Sequence, residues 1–437
     1  MKSQDATRRQ FLAGTTALPL IPSALMPSTL KAAAGQSTSV ADDLGRYVGF
    51  GSKQSGGEGD NACGAWLEAE LESAGFVVER QTLSVPYFNA ERSELVCGED
   101  RATLRPQPIV IPTGPEGITG PLVRVGPEGA DTSLAGAIAL IDLPSRRWST
   151  ALSDAIRQPI EAAFAGGARA AIIITNGPTE KTIALNTDGR EPMFAGPVAL
   201  LAPEAAGRFL SAATRSEPAT FFLTGNGGPR PCFNLAGRID RGRGRWLVVS
   251  TPRSGWGTCA GERGGGIAAW LEIARWASGG ARQFDLAFIC NSAHEYQYLG
   301  AEEMLHAVAP RPEETAFWLH LGANLASRDW HDSVGAMTPL PGTDSQRYLV
   351  VSPELLPAAQ REFAGLAGLE APYSSQALSA GELTNVIEAG YAPVAGIFGI
   401  HRFHHIAEDD ARCVSAAAVA ETSAAFRRLV EHVLRTA

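Results

Sequence analysis

From Arg245 onward the chain alternates short, near-continuous apolar runs with amphipathic stretches, and few folds accommodate that pattern. The apolar runs fall at residues 246–250, 284–289, 317–321, 348–351 and 393–398. Strands that lack a polar face must be covered on both sides, which is the habit of parallel sheets. The stretches at 266–277, 300–308, 358–366 and 416–434 carry apolar residues at helical spacing. Together they specify an α/β fold with a mostly parallel central sheet and helices on both faces. In such sheets the chemically active residues gather in loops at the carboxyl ends of the strands.

The first half of the chain has a different texture. Residues 61–75 read as a helix ending at Gly75, and 76–80 as a strand. From Pro106 glycine and proline become frequent, and short β-type runs appear at 122–125 and 137–141. A helix-like stretch at 160–167 leads into the apolar run 170–174, and 176–192 reads as a surface loop. Residues 221–223 close the region, followed by the breaker Gly225-Asn226-Gly227-Gly228-Pro229. The expected organisation is a leader at 1–34, an N-terminal domain part at 38–105, a β-rich insert at 106–229 and the main domain part at 230–437.

Composition narrows the function classes. The formal net charge is −9, so the global basic footprint of a nucleic-acid binder is absent. Thr7-Arg8-Arg9-Gln10-Phe11-Leu12 is a twin-arginine pattern, followed by an apolar run to Leu30 and by the small residues Ala32-Ala33-Ala34. Charged, apolar and small-residue segments in that order predict an export leader, hence a periplasmic or secreted product. The competing reading is a tail with a chance arginine pair. Prolines 19, 22 and 27 interrupt the run and no other stretch could span a bilayer, so no membrane span is expected. An oxidising compartment permits disulfides, but spacing alone cannot pair the six cysteines, and Cys290, at the end of an apolar run, reads as a buried thiol.

Four segments fall at expected strand ends. They are Thr251-Pro252-Arg253-Ser254-Gly255, Cys259-Ala260-Gly261-Glu262-Arg263-Gly264-Gly265-Gly266, Ser292-Ala293-His294-Glu295-Tyr296-Gln297-Tyr298-Leu299-Gly300-Ala301, and Phe403-His404-His405-Ile406-Ala407-Glu408-Asp409. Their order and separation resemble the M28 family of zinc aminopeptidases. The stretch Gly56-Gly57-Glu58 leading into Ala74-Gly75-Phe76 resembles that family too. The middle region resembles a protease-associated (PA) insert, through residues 134–141 and 166–170.

The resemblance implies a ligand set, and this chain departs from it in a pattern. The family's H-x-D pair falls on Pro252 and Ser254, and its later Asp on Gly322. Its bridging Asp falls on Glu262, its general-base and ligand glutamates on His294 and Glu295, and its final His on His405. The losses belong to one of two metal sites. The other would keep Glu262, Glu295 and His405, enough for a single zinc with an open coordination position, and His294 would handle the proton.

Each residue also has an alternative reading. Glu262, longer than Asp by roughly 1.5 Å, could pair with Arg263 or Arg253 instead. Glu295 could serve a salt bridge or a helix N-terminus, and His294 could ligate metal or brace a loop. His401, His404 and His405 lie within five residues in a chain with eight histidines, a fair metal signal, whereas His320, inside an apolar strand, reads as a core histidine. No G-x-S-x-G elbow accompanies Ser254, Ser292 or Cys259 to support a covalent nucleophile. The expected function is an exported hydrolase acting on peptide or other amide bonds with one zinc. The alternatives are a non-catalytic relative that binds peptides, and acyl transfer of the glutaminyl-cyclase kind.

Overall fold

The computed structural model describes residues 39–436 other than 127–128, 131 and 334–335. The twin-arginine pattern and its cleavage site lie outside the described residues.

Two helices open the described chain, α1 (Val40–Gly49) and α2 (Glu58–Ser73). Ser39 caps α1 by accepting from the Asp42 N–H, and the Asp42 carboxylate accepts from the Ser39 N–H in return, a reciprocal capping box. The long strand β1 (Val77–Cys97) follows. Next come β2 (Ile118–Gly126), β3 (Ile138–Asp142), α3 (Asp154–Ala165), β4 (Ala170–Ile174), β5 (Val198–Leu201) and α4 (Pro203–Thr214). A second long strand, β6 (Pro218–Ile239), returns along β1.

The last part alternates as the sequence predicts: β7 (Trp246–Pro252), α5 (Gly265–Gly280), β8 (Asp285–Asn291), α6 (Leu299–Ala307) and β9 (Thr315–Leu321). Then come β10 (Arg347–Val351), α7 (Leu356–Glu362), α8 (Glu382–Glu388), β11 (Val394–Gly399) and the closing α9 (Ala416–Thr436).

Along the sheet the order is β10-β11-β9-β7-β8-β6-β2-β3-β4-β5. The run β11-β9-β7-β8 is parallel, with antiparallel neighbours β10 and β6 flanking it. Helices cover both faces of this half. On one side Leu44, Tyr47, Leu67, Trp270, Phe426 and Val430 pack against Leu247, Phe288 and Leu319. On the other, Met304, Leu383 and Val386 meet Val248, Ala287 and Trp318. The second half, β2-β3-β4-β5, is parallel and repeats the plan at smaller scale. Its side chains alternate by face: Leu140 and Ile172 join the core under α4, while Ile141 and Ile173 join the core under α3.

Two boundaries differ from expectation. Residues 225–229 do not end a strand, because β6 runs through them in register with β1, Gly228 opposite Tyr87 and Pro229 opposite Pro86. At that point β6 has β1 as its neighbour and lies beyond its pairings with β2 and β8, so an unpaired edge tolerates proline. Gly225 sits at a bulge, where an added Cβ would meet the Asn89 carbonyl oxygen at 2.1 Å. The helix expected at 160–167 spans Asp154–Ala165, with Pro159 inside its second turn. All six cysteines are buried free thiols.

Candidate metal centre

Three strand ends and one turn converge. Strand β7 delivers Arg253 and Ser254, β8 delivers Ser292 to Glu295, β11 leads to the loop 400–410, and a tight turn carries Glu262 into α5. Cys259 enters that turn in the left-handed region (φ 54°), and Ala260–Gly264 form one wide π-type turn. Such turns are rare inside helices and concentrate at functional sites. Asp409 holds the turn in place, its carboxylate accepting from the Gly261 N–H at 2.7 Å and the Glu262 N–H at 3.0 Å. Only glycine fits at position 261, where a Cβ would stand 2.8 Å from His401 Cε1 and 2.9 Å from Asp409 Oδ1.

Glu262 is fully buried and meets two imidazoles. His405 Nε2 lies 3.3 Å from its Oε1 and His404 Nδ1 lies 3.9 Å away, the two rings stacked with centroids 3.9 Å apart. One ligand atom from each of Glu262, His404 and His405 falls within 4.8 Å of the others, a group that could hold a metal ion. Neither Glu262 oxygen has a hydrogen-bond donor, and His404 Nδ1 has no hydrogen-bond partner. His405 Nδ1 faces the Ala184 carbonyl at 2.9 Å, so the proton belongs on Nδ1. That leaves the Nε2 lone pair aimed at a carboxylate, an arrangement that calls for a proton or a cation between them. A metal-binding His is usually oriented in this way, through its other nitrogen. Burial and the neighbouring His405 hold His404 well below the usual imidazole range, leaving it neutral and able to ligate.

A competing cation is already present. Arg263, itself buried, brings Nη2 to 2.6 Å from Glu262 Oε1, close but without an N–H directed along the approach, and its Nε donates to the Ser254 carbonyl at 3.1 Å. Burial alone would raise the Glu262 pKa, but Arg263 and the two imidazoles outweigh it and hold this carboxylate well below its ordinary range.

The other expected residues are placed as follows. Glu295 does not join the group. It is buried in a cage of hydroxyls and amides, accepting from the Ser55 N–H at 2.8 Å, Ser55 Oγ at 2.6 Å and Ser254 Oγ at 2.7 Å. Ser254 stands where the resemblance expects an Asp ligand, and its hydroxyl occupies the carboxylate that would otherwise face a metal. Burial raises the Glu295 pKa against those hydrogen bonds. His294 pairs through Nδ1 with Glu382 Oε1 at 2.9 Å, and Asn291 Nδ2 donates to Glu382 Oε2 at 3.0 Å. Burial and then Arg263 lower the His294 pKa, with Glu382 opposing them. Arg253 pairs with Asp60 rather than Glu262, Nε to Oδ1 at 2.9 Å. His320 is a buried strand residue sharing a hydrogen bond between Nδ1 and Ser250 Oγ. At Gly322 a Cβ would meet the Ile397 carbonyl oxygen at 2.4 Å, so this backbone has no room for a side chain there.

Four contributors were not among the site residues expected from the sequence. Asp409 and His404 sat in a flagged segment, and the His-His pair was the available signal. Glu382 and Ser55 lie in segments with no motif, and no local signal marks them. The loop 183–187 also reaches the site: the Ala184 N–H donates to the His405 carbonyl, and the Thr187 N–H to that of Glu295.

No family model matches the chain, and no curated protein matches it. Solved structures do. A peptidase M28 precursor from Shewanella amazonensis SB2B superimposes with a TM-score of 0.71 at 17% identity, covering 91% of this chain and 93% of that one. BSAP, a zinc aminopeptidase from Bacillus subtilis, gives 0.68 at 16% identity over 90% and 94%. An aminopeptidase from Aneurinibacillus sp. strain AM-1 gives 0.62 at 17% identity over 90% and 93%. The chain is therefore built on the mixed, mostly parallel α/β fold of the M28 zinc peptidases.

Proposed function

We propose that this protein is an exported hydrolase of peptide or related amide bonds, with one metal ion held by Glu262, His404 and His405. The observation that carries the reading is the buried group of one carboxylate and two imidazoles, with His405 oriented by the Ala184 carbonyl. Two nitrogens and one oxygen suit zinc with an open position, and zinc is named for the Bacillus subtilis relative in fold. A bound zinc would polarise the scissile carbonyl and make a water acidic enough to attack it.

The chain's own residues would do the rest. Glu382 holds the Nδ1 proton of His294, so the ring keeps one tautomer and its Nε2 stays free to accept a proton. A lowered pKa keeps that nitrogen unprotonated at neutral pH. Nε2 would take the proton released as water attacks and return it to the leaving amine. Glu295, held by Ser55 and Ser254, fixes the backbone of the β8 end that carries His294. The PA-like insert at 106–229 rests on the sequence resemblance, its two helix-covered cores sharing residues with 95–104 and Ile406, and export rests on the twin-arginine pattern.

A second reading is favoured by one contact. The Arg263 guanidinium already neutralises Glu262, and a cation beside a would-be metal site lowers affinity for another. The protein would then bind a peptide without cleaving it. Zinc content of the purified exported chain separates the two. The hydrolase reading expects close to one equivalent, lost in His404→Ala and His405→Ala, and turnover of aminoacyl amides that disappears in His294→Ala. A well-folded chain that retains no metal and turns over no amide sinks the hydrolase and leaves the binding protein.

A further inference from the structure

A cavity of about 780 Å³ lies outside the candidate metal centre. It opens between the β1–β6 ribbon, the two-residue strand Arg105–Pro106 and the loops carrying Trp256 and Tyr296. Its walls carry aromatic and proline surface, with Tyr87, Phe88 and Trp256 among the lining residues. That volume and lining suit a small organic ligand.

One group in it has no counterpart. Arg105 is half-buried, and among the described residues its guanidinium makes no hydrogen bond and no ion pair. Its contact is the face of the Trp256 indole, with the guanidinium carbon 5.1 Å from the ring centroid. Burial pulls the Arg105 pKa below its ordinary value, the mark of a cation short of solvent. A half-dry guanidinium is costly unless an anion completes it. The other arginine of the lining, Arg190, is exposed and already paired with Glu302 at 2.5 Å.

We infer that this cavity binds an organic monocarboxylate with an apolar body, such as a short peptide with a free C-terminus, the carboxylate pairing with Arg105 over Trp256. A guanidinium takes a carboxylate through two parallel N–H donors, and the aromatic and proline walls take the apolar part. This inference does not depend on hydrolysis or on metal.

Calorimetric titration of the full chain in chelator, with N-acetyl-leucine against N-acetyl-leucinamide, tests it. The acid is expected to bind at least about tenfold more tightly than the amide, since a charge-assisted pair is strong only with the carboxylate. Arg105→Gln should bring the two within about twofold, Arg105→Lys should restore part of the preference, and Arg190→Gln should leave it intact. Thermal unfolding of each variant, unchanged from the parent, establishes that loss of preference is not loss of fold. Equal affinity for acid and amide in the parent, failure of either to bind, or a preference that survives Arg105→Gln would overturn the inference. None of these outcomes bears on zinc content or on amide turnover.

Discussion

Glu262 and Arg263 are neighbours in the chain, both fully buried, and joined at 2.6 Å. Removing one partner of such a pair strands the other without water, which costs about 3–5 kcal/mol, whereas replacing both with apolar or neutral groups is often tolerated. Arg263→Met in metal-free protein should therefore lower stability by that order in a urea titration. Adding Glu262→Gln to it should recover much of the loss. Additive penalties would mean that the two side chains do not act as a pair. Asp409 supports the same carboxylate from outside. Asp409→Ala orphans two buried N–H groups, at about 1–3 kcal/mol each, and should loosen zinc more than it alters the far half of the sheet. Sequence reasoning singled out Glu262 and His405 because they sit in motifs at strand ends. It placed Glu295 with them because a motif carries no information about hydroxyls arriving from elsewhere. Ser55 comes from before α2 and Ser254 from the end of β7, and together they take both oxygens.

At the scale of elements, the π-type turn before α5 is the part most sensitive to small change. Gly261→Ala must push aside His401, Asp409 or the Cys413 carbonyl. We expect zinc affinity to fall by about 10–100-fold, the usual effect of disturbing groups that orient ligands, with far-ultraviolet circular dichroism unchanged. Parent-like zinc binding in that variant would show that the turn does not set the site. The alternating strands and helices after Arg245 were legible because burial on both faces writes itself as an apolar run. The β1–β6 ribbon was not, because Gly225 to Pro229 look like a stop. Pairing with β1 from far along the chain overrides that local preference, a common outcome for strands.

Across the whole molecule, buried histidines set the response to acid. Burial pushes the His320 pKa down to about 4, against an ordinary value near 6.5. The unfolded chain takes up that proton on acidification before the folded one can, so stability is complete above pH ~6.5 and falls as pH drops toward 4. The loss from this residue is at most about 3–4 kcal/mol at 1.36 kcal/mol per unit. His294, lowered by burial, and Glu382, held low by His294, His320 and Asn291 against its own burial, act in the same sense. Urea midpoints measured from pH 7 to pH 4 should therefore decline, and His320→Gln should flatten the slope. An unchanged slope in that variant would assign the acid response elsewhere.

Ile406, one residue past His405, is buried with Ile183 and Leu185 in the core beneath α3 rather than in that of the surrounding main half. Together with the paired contacts of Ala184 and His405, this makes the middle segment a structural wall of the centre. Excising 106–229 and splicing the ends, a cut the sequence invites, would strip the imidazole of its carbonyl anchor and its loop of an apolar seat. The shortened protein could keep its central sheet and still have lost the ring orientation on which any chemistry at Glu262 depends.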